Sequence, residues 1–164
     1  MKRQIPILGF YGYSNSGKTT LLETIISRLV AKGVKVGTIK QTHHCVSADR
    51  KGKDTWRHRQ AGSDPVILSS DSETALFLGR KLTLFETIEL LTSTTLVDIV
   101  LLEGWKDESI PKVFLGGGDP KPGTVMRYNN DIESVLELIF DMLKEHHYVP
   151  FCLPVIEIKV NAPE

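Results

Sequence analysis

The amino-acid sequence predicts an α/β fold in three layers, in which a mostly parallel sheet lies between helices. Short apolar runs alternate along the chain with segments of helical periodicity, the pattern of strands connected by helices. A glycine-rich turn joins the first apolar run to the first helical segment. The 164 residues, of which 41% are hydrophobic and 24% charged, are enough for a domain with a buried core. We therefore predict a single domain over residues 1–164.

The first three predicted elements form a βαβ unit. Ile5 to Tyr11 is a short apolar run bounded by glycine, which predicts a buried strand. The next helix ends near Gly33 and is predicted from one apolar stripe, made of Leu21, Leu22, Ile25, Ile26, Leu29 and Val30. Val34 to Ile39 supplies the second strand, so the connection should be a right-handed crossover.

The segment 40–62 is polar and shows little apolar periodicity. A short helix is predicted from Asp54 to Ala61, with Gly62 ending it. Polar connections of this length in compact domains are more often functional than passive. Two further strands are predicted after this segment, Val66 to Leu68 and, paired beside it, Ala75 to Leu78.

The second half of the chain begins with a helix signal and a strand signal. Thr83 and Glu86 have the spacing of a capping box, which predicts the start of a helix. Leu96 to Leu102 is the clearest buried strand of this half, and it leads directly into Glu103. A carboxylate at the end of a central strand is a candidate for a functional site.

Two short strands and a helix are predicted next. The strands, Val113 to Leu115 and Val125 to Met126, lie on either side of a Gly- and Pro-rich segment, Gly116 to Gly123, which predicts a hairpin. Asn130 or Asp131 is predicted to cap the last helix.

The C-terminal stretch 148–164 is apolar and contains Pro150 and Pro154. We favour an edge strand here, because proline is tolerated at sheet edges. The alternative is an arm that adds a strand to a partner subunit.

Gly12 to Thr19 matches the phosphate-binding pattern GxxxxGK[ST], the Walker A motif or P-loop, at every fixed position. Glycines let backbone N–H groups approach phosphate oxygens, and the start of a helix favours negative charge. The match follows a predicted strand and precedes a predicted helix, the context that the motif requires. The predicted nucleotide-binding residues are Gly12, Tyr13, Ser14, Asn15, Ser16, Gly17, Lys18, Thr19 and Thr20.

Charged and hydroxyl side chains near this turn suggest catalytic and metal-binding roles. Lys18 is predicted to contact the β- and γ-phosphates as a catalytic residue. The Thr19 hydroxyl is predicted to bind Mg²⁺, which prefers oxygen ligands. Glu103, at the end of a neighbouring strand, is the first candidate for the acid beside this metal.

The polar segment 40–62 holds further candidates. Asp49 is either a surface charge or an acid close to the metal, and Asp54 is either a helix cap or such an acid. His43 and His44 are adjacent, and because neighbouring side chains diverge, a phosphate-facing role is favoured over a zinc site.

Charge and hydropathy exclude several classes of protein. The 20 basic and 20 acidic residues give a formal net charge of zero, which argues against general affinity for nucleic acid or anionic membranes. Apolar runs stay well below the roughly 20 residues that cross a bilayer. Two cysteines are too few for a disulfide framework. We therefore expect a cytoplasmic protein that has neither nucleic acid nor a membrane as its partner.

Four blocks of sequence together resemble the family of molybdopterin-guanine dinucleotide biosynthesis protein B, MobB. They are GYSNSGKTTLLETII, VGTIKQTHH, GKDTWRHRQAG and DIVLLEGWKDESIPKV, and they extend from about Ile7 to Val113. The P-loop alone is common to many nucleoside triphosphatases, whereas the other three blocks are specific in combination. Cys45 and Ser47 depart from the family, whose members carry acids after the histidine pair.

The resemblance implies a homodimeric GTP-binding protein with weak GTPase activity that acts as an accessory factor. It would assist the guanylyltransferase that joins GMP to molybdopterin, with Mg²⁺ and GTP bound. The resemblance also assigns the P-loop residues to phosphate and Mg²⁺ and Glu103 to the metal side. The residues that it places in a switch-like loop are His43, His44, Lys53 and Asp54, and Asp49 belongs to the same loop.

Two other functions stay open on the residues. One is a small-molecule kinase built on the same P-loop. The other is a GTPase that delivers nickel, which predicts metal bound by His43, His44 or Cys45. Guanine preference follows from the resemblance alone, because the sequence contains no NKxD element.

Overall fold

The structure is a computed structural model, and it describes residues 5–42 and 44–145. In chain order its elements are β1 (Ile7–Gly12), α1 (Lys18–Ala31), β2 (Val36–Lys40), α2 (Asp54–Gln60), β3 (Val66–Ser69), β4 (Thr74–Phe77), α3 (Leu84–Thr94), β5 (Ile99–Glu103), β6 (Lys112–Leu115), β7 (Thr124–Arg127) and α4 (Ile132–Glu145). The predicted edge strand or arm at 148–164 lies outside the described residues.

The chain divides into two compact units. The first comprises Met1–Ile39 and Leu96–Glu164, and the second comprises Lys40–Thr95. Each unit is described by itself below. The single domain expected over 1–164 stays a prediction.

The first unit contains a five-stranded sheet in the order β2-β5-β1-β6-β7. β1 pairs in parallel with β5 and with β6, with Phe10 opposite both Glu103 and Val113. The carboxyl ends of these three strands therefore meet at one edge of the sheet, where α/β proteins bind ligands. This mostly parallel sheet confirms the predicted α/β fold.

The hairpin predicted between β6 and β7 is wrong, because these two strands pair in parallel. The connection runs back along the sheet before β7 begins. Gly123 lies close to Ile110, so close that a Cβ on Gly123 would be 2.5 Å from the Ile110 carbonyl oxygen. On the way, the Lys121 N–H donates a 2.7 Å hydrogen bond to the hydroxyl oxygen of Tyr11. These contacts with distant parts of the chain decide the strand direction.

One face of the sheet carries the core of the first unit. The N-terminal helix α1 buries Leu21, Leu22, Ile25 and Leu29, four of the six residues in the predicted stripe, whereas Val30 is 57% exposed. The amphipathic helix α4 packs on the same core through Val135, Leu136 and Ile139. Burying apolar residues of both helices against the strands stabilises this face by roughly 25 cal/mol per Å².

The second unit contains a two-stranded ribbon and two helices. β3 and β4 pair antiparallel as predicted, with Ile67 opposite Leu76. The capping box of α3 is confirmed: Thr83 Oγ1 accepts from the Glu86 N–H at 3.2 Å, and Glu86 Oε2 accepts from the Thr83 N–H at 2.8 Å. The capping role considered for Asp54 is wrong, because Lys53 has the extended backbone of the N-cap and Asp54 is already helical.

Candidate nucleotide-binding site

The turn between β1 and α1 is shaped by two glycines. A Cβ on Gly12 would lie 2.0 Å from the carbonyl oxygen of Leu115, so only glycine lets the turn pass this close to the end of β6. Gly17 is the N-cap of α1 with φ 83°, a left-handed conformation that favours glycine. Within the described chain, the first turn of α1 carries no acidic residue. The helix therefore presents backbone N–H groups and positive potential to the turn, which suits an anion.

The Lys18 side chain folds over this turn. Its Nζ donates 3.2 Å hydrogen bonds to Gly12 O and Ser16 Oγ, and a further hydrogen bond to Tyr13 O. Lys18 is half-buried, whereas the residues of the motif that are exposed are Tyr13, Ser14, Asn15, Gly17, Thr19 and Thr20. The ammonium group is thus held at the centre of the turn by neutral oxygens. A phosphate oxygen, being charged, makes a stronger hydrogen bond with it than these carbonyls do.

Thr19 and Glu103 meet at the side of the turn that faces β5. The Thr19 hydroxyl donates a 3.1 Å hydrogen bond to Glu103 Oε1. The pairing of β1 with β5, with Phe10 opposite Glu103, brings this carboxylate beside the second residue of α1. A hydroxyl and a carboxylate oxygen at this separation fit Mg²⁺, which takes oxygen ligands and keeps several waters.

The segment after Glu103 is held by a lysine that sequence reasoning missed. Lys112 is 1% exposed, and its Nζ donates hydrogen bonds to the carbonyl oxygens of Lys106, at 2.9 Å, and Glu108. The ammonium also lies 5.6 Å from the centre of the Tyr11 ring. Burial lowers the pKa of Lys112 below its ordinary value. The only signal in the sequence is a lysine at the start of an apolar strand.

The residues predicted for a switch-like loop belong to the second unit. Asp49 is not the surface charge considered for it, because its side chain is 2% exposed and accepts hydrogen bonds from Thr55 Oγ1 and Arg59, at 2.8 and 3.5 Å. This carboxylate therefore anchors α2. The His44 N–H donates to Thr42 Oγ1 at 3.2 Å, and His43 lies outside the described residues.

The part of the chain that the structure describes contains neither a metal-binding cluster nor a membrane-spanning helix. Across 5–42 and 44–145, no three His, Cys, Asp or Glu side chains group together in a way that could hold a metal ion. None of the helices in these ranges is long and apolar enough to cross a membrane.

Several known proteins are similar to this chain. The "Molybdopterin-guanine dinucleotide biosynthesis adapter protein" of Haemophilus influenzae is 46% identical over 116 residues, covering 70% of this chain and 65% of the relative. The protein of the same description from Escherichia coli is 38% identical over 117 residues, covering 70% of this chain and 67% of the relative. The chain thus spans about two thirds of the length of these curated relatives.

Two solved structures support the fold. The crystal structure of Bacillus subtilis MobB superimposes with a TM-score of 0.68 at 24% identity, covering 84% of this chain and 98% of that one. A MobB homologue from Bacillus stearothermophilus gives a TM-score of 0.57 at 22% identity, covering 85% and 98%. At these identities the likeness concerns the fold alone.

A family model completes the comparison. The model described as "Molybdopterin guanine dinucleotide synthesis protein B" matches residues 7–135, which include every element from β1 to β7. The four blocks of the sequence resemblance fall inside this range. The chain belongs to the MobB family.

Proposed function

We propose that this protein is a GTP-binding adapter in molybdenum cofactor biosynthesis, which assists the guanylyltransferase that attaches GMP to molybdopterin. The observation that carries the proposal is the convergence of Lys18, Thr19 and Glu103 on one glycine turn in a member of the MobB family. The adapter role is supported by the names of the Haemophilus influenzae and Escherichia coli relatives.

Each residue of the turn has a distinct role in this proposal. The backbone N–H groups of 12–17 and the start of α1 bind the phosphates. The Lys18 ammonium exchanges its hydrogen bonds with Gly12 O and Tyr13 O for hydrogen bonds with phosphate oxygens, whose charge it neutralises. Thr19 and Glu103 hold Mg²⁺, which when bound offsets charge on the β- and γ-phosphates. Because Glu103 is engaged with the metal in this proposal, it cannot also act as a general base for the attacking water. GTP hydrolysis should therefore be slow.

The remaining parts of the proposal rest on family membership. We propose a homodimer in the cytoplasm, in which GTP binding regulates contact with the guanylyltransferase. The switch-like loop that contains His43, His44, Asp49, Lys53 and Asp54 is proposed to respond to the γ-phosphate.

Calorimetric titration with GTP, ATP and GDP, with and without Mg²⁺, tests nucleotide binding directly. We expect Mg²⁺-dependent binding that favours GTP. Replacing Lys18 by alanine removes charged hydrogen bonds worth about 1.5–3 kcal/mol each, so the Lys18→Ala protein should bind GTP at least about tenfold more weakly. Unchanged GTP affinity in a folded Lys18→Ala protein would contradict the site.

A reconstituted reaction tests the adapter role. With purified guanylyltransferase, molybdopterin and Mg·GTP, the wild-type protein should increase the rate of dinucleotide formation, whereas Lys18→Ala should not. Transfer of phosphate from the nucleotide to a pterin would instead identify a small-molecule kinase. Stoichiometric nickel that is lost on replacing Cys45 by serine would identify a metal-delivery GTPase.

A further inference from the structure

We infer that Tyr13 and the segment Gly116–Gly118 form a platform for the nucleoside end of the bound nucleotide, with the base stacked on the Tyr13 ring. The inference rests on the proposed function, because it requires that the turn 12–17 bind a nucleoside triphosphate. It adds the location and the chemistry of base recognition, which neither the motif nor the family description supplies.

The position of Glu103 sets the direction of the nucleotide. Thr19 and Glu103 meet at the end of β5, so the metal and the terminal phosphates belong on that side of β1. The strand on the opposite side of β1 is β6. A triphosphate that lies along the turn therefore directs its ribose and base across the carboxyl end of β6, where residues 116–118 begin.

Tyr13 stands at this end of the turn with most of its side chain in solvent. Tyr13 is 70% exposed, and its ring lies next to Gly116 and Gly118. A Cβ on Gly116 would lie 3.3 Å from Cδ2 of Tyr13, and one on Gly118 would lie 3.8 Å from its hydroxyl oxygen. Because the residues next to this exposed ring have no side chains, there is room for a second flat group against it.

The glycine segment is fixed from the neighbouring strand. On β7, Arg127 donates from Nη2 to Gly118 O at 2.7 Å and from Nη1 to Gly116 O at 3.5 Å. Its guanidinium lies 5.3 Å from the centre of the Phe114 ring, which stacks on Tyr11 with centroids 4.8 Å apart. These contacts join the segment to β1 and β6. The surface beneath Tyr13 is therefore held in place before a nucleotide binds, which lowers the entropic cost of binding.

An aromatic ring next to a phosphate site recognises the base rather than the triphosphate. Where a base stacks on an aromatic side chain, replacing that side chain by alanine lowers the affinity about 5- to 150-fold. Every base has a π-face, so the platform favours a nucleotide over inorganic phosphates without selecting guanine by itself.

The test compares the affinities of Mg·GTP and of Mg·tripolyphosphate, which carries three phosphates and no nucleoside. We expect Tyr13→Ala to weaken GTP binding about 5- to 150-fold and to change tripolyphosphate binding less than about twofold. Tyr13→Phe, which keeps the ring, should restore GTP affinity to within about threefold of wild type. Arg127→Gln should also weaken the binding of GTP and not that of tripolyphosphate, but by less than Tyr13→Ala does. It removes the hydrogen bonds that hold Gly116–Gly118 and keeps the Tyr13 ring.

Lys144→Gln is the matched control for Arg127→Gln. It removes one positive charge at an exposed position of α4, where the partner is Asp141, and should leave both affinities unchanged. If Tyr13→Ala lowered the affinities for both ligands equally, or left the affinity for GTP unchanged, the platform would be overturned and the phosphate site would stand. A folded wild-type protein that binds neither ligand would overturn the proposed function and the platform together.

Discussion

At the scale of single residues, Lys112 connects the site to the stability of the fold. Its buried ammonium satisfies the carbonyls of Lys106 and Glu108, which lie in the segment after Glu103. Leaving such groups without a hydrogen bond costs about 1–3 kcal/mol. We therefore expect Lys112→Met to lower the free energy of unfolding by about that amount, measured by urea denaturation. The control is Lys121→Met, which removes an exposed ion pair with Asp107 and should change the free energy of unfolding much less.

The same lysine gives a pH dependence of known sign. Burial lowers the pKa of Lys112 in the folded protein, so between that pKa and its ordinary value of 10.5 the unfolded chain binds more protons. The stability of the wild type relative to Lys112→Met should therefore rise with pH in that window. A difference that falls with rising pH would contradict the burial of the charged group.

The residues proposed to bind phosphate can be identified from the sequence, whereas the residues that support the neighbouring segments cannot. The spacing from Gly12 to Thr19 is local, and Glu103 ends an unmistakable strand, so both were predicted. Lys112 shows no spacing pattern, because its partners are backbone carbonyls. The sequence leaves a surface charge open for Asp49, because nothing local indicates that its carboxylate accepts hydrogen bonds from Thr55 and Arg59.

At the scale of elements, the start of α3 depends on one carboxylate. Hydrogen bonds from Arg80 and from the Thr83 backbone and hydroxyl lower the pKa of Glu86 to about 2. Because the folded pKa is depressed, the stabilisation is present above the ordinary value of 4.5 and is lost as the pH falls towards 2. Titration of the Glu86 side chain by NMR should give this low pKa, and Arg80→Ala should raise it. An ordinary pKa in the wild type would contradict the hydrogen bonds of Glu86 with Arg80 and Thr83.

The connection between β6 and β7 marks the limit of local prediction. Glycine and proline between two apolar runs favour a hairpin, yet the strands are parallel because Tyr11, on β1, binds the returning segment. The hydroxyl of Tyr11 contacts both Lys121 N and Thr124 Oγ1 at 2.7 Å. The pairing is thus decided by a residue more than a hundred positions away.

This connection predicts unequal effects of two glycine substitutions. Gly123 and Gly33 have φ 83° and 80°, so alanine at either position costs about 1–2 kcal/mol of backbone strain. At Gly123 the new Cβ would also lie 2.5 Å from the carbonyl oxygen of Ile110. At Gly33 it would have no neighbour within 4 Å. Urea denaturation should show a larger loss of stability for Gly123→Ala. Equal losses would indicate that the connection takes another path.

At the scale of the whole molecule, the sequence predicts the helices and strands and the α/β class, whereas it does not predict which segments contact each other. Strands, helices and the α/β class follow from periodicity, which is a local property. The division into Lys40–Thr95 and the remainder depends on which segments contact each other. The polar segment 40–62, predicted to be functional, lies at the start of the second unit and is proposed to respond to the nucleotide.

Hydrogen exchange of the full chain tests that response in both units at once. A ligand at one hundred times its Kd stabilises the state that binds it by about 2.7 kcal/mol, which slows exchange through unfolding about 100-fold. We expect Mg·GTP to protect peptides from 12–20 and 116–118 in the first unit. If the segment that contains His44, Asp49 and Asp54 senses the γ-phosphate, its peptides should gain protection with Mg·GTP and less with Mg·GDP. Protection of 12–20 by both nucleotides, without any change in 44–54, would show that the loop is no switch, because its conformation would then be independent of the phosphate that distinguishes the two ligands.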